Sequence, residues 1–514
     1  MKLYTAEAMH EADRRAITER GVSGLTLMEN AGRGCALLIH ERYGAPSCRK
    51  VVIVAGKGNN GGDGYVIARL LAEQGWQVRT LVLARREEIK GDARSNLELL
   101  PLDSVQFCPS GIADWADELA ASTIIVDALF GTGLSGEIVG PAAWAVNLIN
   151  TAGRPVVAVD IPSGIHGTTG KVLGTAIRAE LTVTFDGAKT GHVLYPGTEY
   201  VGDLQVVEIG IPESFLAKGH GLEFLDAAAA ALLLRPRRRT AHKGSCGHVL
   251  IIAGSRGKTG AATLTANSAV RSGSGLVTLA VPESLHDILE IKTTEVMTVS
   301  LDDEGRACLS SLALPEIHRL LQGKSAVAVG PGLGLSRETV TLVHRLLHEI
   351  ELPLVLDADA INAISQQQEL LRNASSHSIV LTPHPGEMSQ LIGISVAQIE
   401  ADRISAARDT AVRFGVYIIL KGARSICAAP DGRISINGSG NPGMASGGMG
   451  DVLTGVVTSL LGQGYSPFDA CRLGVFLHGC AADLVAAEKG EIGITATDVL
   501  ERLPYAYKFI SSRF

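Results

Sequence analysis

No C-x-x-C pair occurs among the eight cysteines of this 514-residue chain (Cys35, Cys48, Cys108, Cys246, Cys308, Cys427, Cys471, Cys480). Neither a zinc framework nor a disulfide-dense scaffold is therefore indicated, and reduced, mostly buried thiols are expected. Long apolar runs are missing as well: the longest plain one, Ala227 to Leu234, is far too short to span a bilayer. The opening MKLYTAEAMHEADRRAITERG carries charges throughout and lacks the apolar core of a signal peptide, which predicts a soluble, cytoplasmic protein with no membrane partner. There is little excess charge, since 46 Lys plus Arg stand against 53 Asp plus Glu for a net −7. That balance supplies no global field for nucleic acid. Proline is scarce beside glycine, 19 against 59, and with 46% apolar and 19% charged residues the chain reads as compact and rich in tight turns.

At roughly 150 residues per domain the length suggests two large domains. From residue 50 onward, short β-branched runs (51–55, 77–83, 122–129, 156–161, 181–185, 204–209) alternate with helical patterns. Continuous apolar strands separated by helix-length segments argue for a parallel sheet covered on both faces. About 45 residues of helical pattern come first and are expected to pack outside that sheet. Residues 212–245 break the series with Pro212, an alanine-rich helix at 226–234 and the basic cluster RPRRRTAHKG at 235–244. A second αβ series then runs through 248–254, 276–281, 326–330, 352–359, 378–383 and 416–422, and ends in helices from about 446 to 505. The two halves share a class but no motif at a fixed offset, so the chain reads as a fusion of two α/β domains, 1–215 and 226–510, with a site in each. The basic cluster suits a solvated surface or an anion contact by Arg237, His242 or Lys243.

In the first half, strand VVIVA runs into Gly56-Lys57-Gly58-Asn59-Asn60-Gly61-Gly62-Asp63-Gly64 and then a helix. A glycine turn there can hold a phosphate on unpaired amides, or be a tight turn with Asp63 as helix cap. Two further strands end in carboxylates followed by polar glycine turns, VDALFGTGLSGE (126–137) and VDIPSGIHGTTG (159–170). In a parallel sheet these endings meet at the carboxyl edge, which gathers Asn60, Asp127 and Asp160. Clustered carboxylates call for a cation or a shared proton. Oxygen ligands from Asn60, Asp127 and Ser163 favour a hard cation over zinc.

GKGNNGGDG, DALFGTGLSG and VDIPSG resemble the NAD(P)H-hydrate epimerases, over roughly residues 1–215. The resemblance implies a Rossmann-like domain and K+ on Asn60, Asp127 and Ser163. It also implies substrate contacts from Asn59, Asn60, Gly61, Gly62 and Asp63, from Gly131, Thr132, Gly133, Leu134, Ser135, Gly136 and Glu137, and from Asp160. Inverting a hydroxyl-bearing carbon beside a ring nitrogen can proceed through loss and return of water, which needs a carboxylate proton shuttle. Asp160 is the residue expected to serve.

In the second half, NPGMASGGMGD (441–451) opens an apolar helix with Asp451 in its first turn. Glycine amides at a helix start form an anion hole, although an Asp there can also simply favour the dipole. GGMGD resembles the corresponding motif of ribokinase-like kinases. HKGSCGHVLIIAGS (242–255), GKTGAA (257–262), VGPGLG (329–334), LDADAIN (356–362), LTPHPGEM (381–388), LKGARS (420–425) and NPGMASGGMGD occur in the order found in the ADP-dependent NAD(P)H-hydrate dehydratases, which this half resembles. The resemblance implies a ribokinase-like α/β domain with nucleotide on Lys421, Gly422, Ala423, Arg424, Ser425 and Gly450. It implies the hydrate on Ala261, Gly332, His384 and Asp451, with Asp451 as catalytic base. Asp357, Asp359 and Asn362 suit helix caps or substrate contacts equally.

The function implied is repair of hydrated nicotinamide cofactors: interconversion of the R and S hydrates of NADH and NADPH (NADHX and NADPHX) and dehydration of the S form with consumption of ADP. Mg2+ is expected for phosphoryl transfer, and a homo-oligomer is implied. Two alternatives remain at this point: a ribokinase-like kinase for a small hydroxymethyl compound, or an N-terminal domain that serves only as a scaffold.

Overall fold

The computed structural model describes residues 1–45, 49–108, 115–216 and 221–512, so Cys48 lies outside the described residues, and the other seven cysteines are free thiols. The chain divides into two compact units, Lys2–Leu222 and Met1 with Glu223–Phe514.

The first unit is built on a seven-stranded sheet. From edge to edge its strands are Val105–Phe107, Gln77–Val82, Lys50–Ala55, Ile124–Ala128, Val156–Val159, Leu181–Phe185 and Asp203–Val207, all paired parallel. Val51 to Ala55 are wholly buried, as unbroken apolar strands must be when helices cover both faces. Helix Gly24–Tyr43 is capped by Ser23 and lays Leu27, Ala31, Cys35 and Ile39 onto one face, a 3.6-residue stripe. The N-terminal region is not purely helical as its pattern predicted. Leu3–Tyr4 pairs in parallel with Ala188–Lys189, and helix Ala6–Arg20 then starts at the Thr5 cap. Strand Val105–Phe107, an edge element of half-buried residues, carries too weak an apolar signal to be read from sequence.

The second unit holds a ten-stranded sheet in the order Leu222–Leu225, Ile434–Asn437, Ile426–Ala428, Tyr417–Leu420, Ile379–Leu381, Leu354–Leu356, Ala326–Val329, His248–Ile252, Leu276–Pro282, Met297–Leu301. It is parallel from Tyr417–Leu420 onward and turns antiparallel through 417–437. The antiparallel strands are only three or four residues long, which hides them from any periodicity argument. Helix Pro467–Lys489 is long and apolar enough to cross a membrane, but most of its apolar stretch is buried inside this unit.

The basic cluster 235–244 is exposed throughout, and two of its arginines also brace neighbouring turns. Arg235 donates to the Gly464 carbonyl at 2.9 Å and stacks 4.6 Å from the Tyr465 ring centroid, and Arg237 donates to the Gly273 carbonyl. His242 caps the short turn Lys243–Cys246.

Candidate active sites

At the carboxyl edge of the first sheet lies a cleft of about 800 Å3. It is lined by Asn59, Asn60 and Asp63, by the loop Gly131 to Glu137, and by Asp160. Gly61 and Gly62 belong to the same helix but stand behind the cleft. A side chain at Gly61 would strike the Gly56 carbonyl, and one at Gly62 would come 2.6 Å from Met28 Sδ. Helix Asn59–Glu73 begins after Gly58, which puts Asp63 inside the first turns and corrects the reading of that residue as a cap.

Asp127 is fully buried at the end of its strand. Ser163 donates to it twice, Oγ to Oδ1 at 2.6 Å and N to Oδ2 at 2.8 Å, and the Leu129 amide reaches Oδ1 at 3.2 Å. Burial pushes the Asp127 acid up to about 6 against the pull of these neutral hydrogen bonds. Asn60 is buried with Nδ2 unpartnered, while its Oδ1 faces Gly131. The group is thus an oxygen-rich set around an anion on which, among the described residues, no side-chain counter-charge acts, which suits a hard monovalent cation.

Asp160 is different in kind. It follows strand Val156–Val159 with φ 65°, a left-handed conformation costly for a residue with a Cβ. The backbone is pinned by its own amide on the Val183 carbonyl at 2.7 Å and by His192 Nε2 on its carbonyl at 2.9 Å. His192 Nδ1 accepts from the Lys189 amide, so Nε2 carries the proton, and burial holds this imidazole down at about 4 and therefore neutral. The carboxylate receives Lys189 Nζ at 2.6 Å and Thr184 Oγ1 at 3.0 Å. Burial alone would raise its acid, but the adjacent ammonium and these hydrogen bonds outweigh it and hold Asp160 below the ordinary range. Asp160 is thus a fixed anion. Lys189 is missed by sequence reading, since in the polar turn Asp186-Gly187-Ala188-Lys189-Thr190 a lysine reads as an ordinary surface residue.

The second site gathers at the mouth of helix Met449–Gly462. Gly448, with φ 90°, starts the helix and Asp451 stands in its first turn. Lys421 Nζ pairs with Asp357 Oδ1 at 2.9 Å and lies 3.6 Å from Glu387 Oε2. Asp357 is buried and takes a second bond from Thr454 Oγ1 at 2.7 Å. Burial first, then the Asp357 charge, lifts the Asp451 acid to about 7 despite Lys421. A Cβ at Gly450 would stand 3.1 Å from Lys421 Nζ, so the glycine leaves the ammonium its place.

Gly332, at φ 65°, would place a Cβ 3.2 Å from that of Ala261, so the structure brings these two together. Their loops are tied by Asp359, which accepts from Lys258 Nζ and the Gly334 amide, each at 2.8 Å. His384 caps helix Pro385–Ile392 through Nδ1, and its amide donates to Glu387 at 2.8 Å. In the 421–425 loop, Gly422 and Ala423 are exposed and Ser425 Oγ bonds the Gly422 carbonyl at 3.1 Å. The Arg424 side chain donates to the Gly438 carbonyl at 2.9 Å and covers the Phe224 ring. Asn362 Oδ1 is buried without a partner. Glu387, which lies within LTPHPGEM, and Thr454, just beyond NPGMASGGMGD, were both missed as site residues and sit three residues, about one helical turn, after His384 and Asp451.

Residues 249–505 match the family described as NAD(P)H-hydrate dehydratase, and residues 24–191 match that described as YjeF-related protein N-terminus. The chain is 43% identical to a bifunctional NAD(P)H-hydrate repair enzyme of Moorella thermoacetica over 99% of its own length and 97% of the relative's. It is 34% identical to the enzyme of that description from Escherichia coli, covering 98% and 93% of the two chains. Among solved structures, a hypothetic protein of Streptococcus mutans superposes with a TM-score of 0.50 at 24% identity, over 56% of this chain and 99% of that one, a likeness of fold.

Proposed function

This chain belongs to the family of bifunctional NAD(P)H-hydrate repair enzymes, and from that premise we propose that its two units act on one pool of damaged cofactor. The Lys2–Leu222 unit interconverts the R and S hydrates of NADH and NADPH, and the Glu223–Phe514 unit dehydrates the S form while ADP is consumed. The observation that carries the reading is Asp451, an acid held at about 7 beside the half-buried Lys421 ammonium at a glycine-opened helix start. A carboxyl poised there can accept a hydroxyl proton near neutrality.

In the second unit, Asp451 takes the proton of the hydrate's hydroxyl as that oxygen receives a phosphoryl group from ADP with release of AMP; phosphate then leaves with the oxygen while the adjacent ring carbon loses a proton to solvent and the ring double bond closes. Lys421, Gly422, Ala423, Arg424 and Ser425 face the nucleotide, with Gly450 at the helix start, and Ala261, Gly332 and His384 line the hydrate side. Mg2+, when bound, would supply charge neutralisation for phosphoryl transfer. Asp357, Glu387 and Asp451 act on the Lys421 ammonium, and Asp359, itself paired with Lys258, also bears on Asp451, a gathering of carboxylates to which a divalent ion on the nucleotide would be suited.

In the first unit, Asn60, Asp127 and Ser163 would hold K+, whose charge offsets the buried carboxylate. The 131–137 loop and Asp160 contact the hydrate. A stereoselective dehydratase leaves half of a mixed pool untouched, which gives the fusion its logic. We also propose a cytoplasmic homo-oligomer, which fractionation and sedimentation test.

The deciding experiment follows recovery of reduced-nicotinamide absorbance from a mixed-epimer NADH hydrate with Mg2+, K+ and ADP or ATP. Complete recovery with ADP, abolished in Asp451→Asn and stalling near half in Asp160→Ala, is the expected result. No recovery with either nucleotide sinks the reading, and a stable phosphorylated product would favour a ribokinase-like kinase instead.

A further inference from the structure

Helix Ala6–Arg20 precedes the residues matched by the N-terminal family, yet it forms one wall of the first cleft. His10, Asp13 and Ile17, spaced to share a helical face, all line it. The helix is clamped there. The Ala6 amide donates to Thr168 Oγ1 at 3.0 Å, and that hydroxyl donates to Glu7 at 2.9 Å. One turn on, His10 Nε2 meets Thr132 Oγ1 at 3.1 Å, and the preceding strand pairs Tyr4 with Lys189.

Asp13 therefore lines a site in which the Lys189 ammonium acts on Asp13, Asp63, Asp160 and Asp186 alike. Lys189 is taken by Asp160 at 2.6 Å. Among the described residues no hydrogen bond or ion pair engages the Asp13 carboxyl. Burial and the Asp160 and Asp186 charges raise its acid, while Lys189 and His10 pull the other way without prevailing. Asp63, on the facing helix, also sits high, pushed up by burial and by Asp160 and Asp13.

We propose that Asp13 is the acid that protonates the departing hydroxyl in the epimerisation, opposite Asp160. This rests on the reading of the first cleft as the epimerase site. The proton passes from Asp13 to the hydroxyl oxygen and the C–O bond breaks with its electron pair leaving in water. The ring-nitrogen lone pair closes a carbon–nitrogen double bond, and Asp13 is left as carboxylate. Water then adds to the other ring face, its lost proton goes to Asp160, and the double-bond electrons return to nitrogen. Proton exchange with solvent resets the two acids.

The test is made on the full chain, without nucleotide, by chiral separation of the R and S hydrates over time. Asp13→Asn is expected to lose about 10²-fold or more in rate, with KM little changed, and Asp13→Glu to recover part of it. The wild-type rate is expected to fall as pH rises through the acid's range, and that alkaline limb to vanish in Asp13→Asn. The proposal is overturned if Asp13→Asn stays within about threefold of wild type or keeps the limb, or if Asp63→Asn alone abolishes turnover. Should Asp13→Asn fail to fold, an unmoved alkaline limb in Asp13→Glu overturns it equally. Loss in Asp160→Ala with full activity in Asp13→Asn would remove this proposal alone, whereas a wild-type chain that leaves the epimers unchanged would remove the reading beneath it.

Discussion

Lys189 sets its ammonium 2.6 Å from Asp160 Oδ1, with only 3% of the lysine side chain and 13% of the aspartate exposed. The pair fixes the charge of the first cleft. Because the ammonium outweighs burial, Asp160 stays ionised, and a proton for leaving-group chemistry must come from another acid. The same pair holds a residue whose backbone sits at φ 65°.

Replacing Lys189 by Met should therefore cost stability as well as epimerisation. Removing one partner of a buried ion pair leaves an uncompensated charge, worth about 3 kcal/mol. The pH dependence should also change sign. With Lys189 present, Asp160 titrates below its ordinary 3.8, so its stabilising contribution is complete above that value and is lost only as pH falls further. With Met in place, the desolvated carboxyl favours its proton and stability falls as pH rises. Urea titrations of wild type, Lys189→Met and the double variant with Asp160→Asn measure this, and the double variant should regain part of the loss.

Potassium should stabilise the chain through Asp127. Without a cation the acid sits at about 6, so between 3.8 and that value the folded state holds the extra proton and stability declines with rising pH. An ion bound to the carboxylate removes the decline. At a hundredfold excess over its Kd such an ion contributes about 2.7 kcal/mol. Melting curves above pH 6 in potassium chloride against tetramethylammonium chloride should show the increment in wild type and lose it in Asp127→Asn.

The parallel sheets were legible because buried strands such as Val51–Ala55 are unbroken apolar runs, and their carboxyl ends pointed to Asn60, Asp127 and Asp160 before any coordinates. What escaped has two physical origins. Half-buried edge strands (Val105–Phe107) and very short ones (Ile426–Ala428) carry almost no periodic signal. Residues that act by setting a neighbour's charge, such as Lys189 and Thr454, lie outside the glycine turns and declare themselves only when distant segments meet. Asp160 was rightly drawn to the cleft, yet its protonation state depended on a lysine 29 positions away.

The dehydratase rate should rise with pH through about 7 and then level, because Asp451 must be ionised to accept a proton. The stability consequence runs the other way. Its folded acid lies above the ordinary 3.8, so the folded state loses stability as pH climbs from there to about 7. Asp451→Asn should thus be inactive but melt higher than wild type above that range. Differential scanning calorimetry across pH checks it, and an Asn variant less stable at every pH would contradict the buried-acid account.

Two glycines of one helix should fail in opposite ways. In Gly455→Ala the new methyl strikes the Thr265 carbonyl and Ser268 Oγ, groups fixed in helix Thr259–Arg271, so the cost falls on folding. In Gly450→Ala it meets the end of a flexible lysine, 3.1 Å from Nζ, and Asp357 Oδ2 at 3.8 Å. A methyl there can be accommodated if the ammonium shifts, and Ala for Gly inside a helix otherwise contributes up to about 1 kcal/mol. Gly450→Ala should therefore melt at or above wild type. Yet moving Lys421 away from Asp357 alters the charge beside Asp451 at the point where phosphoryl transfer needs it fixed. A displacement worth about 1.4 kcal/mol in the transition state is a tenfold loss of dehydratase kcat. Parallel melting and single-turnover measurements on the two variants separate these outcomes, and equal loss of stability in both would mean that Lys421 is as rigid as the backbone at Thr265.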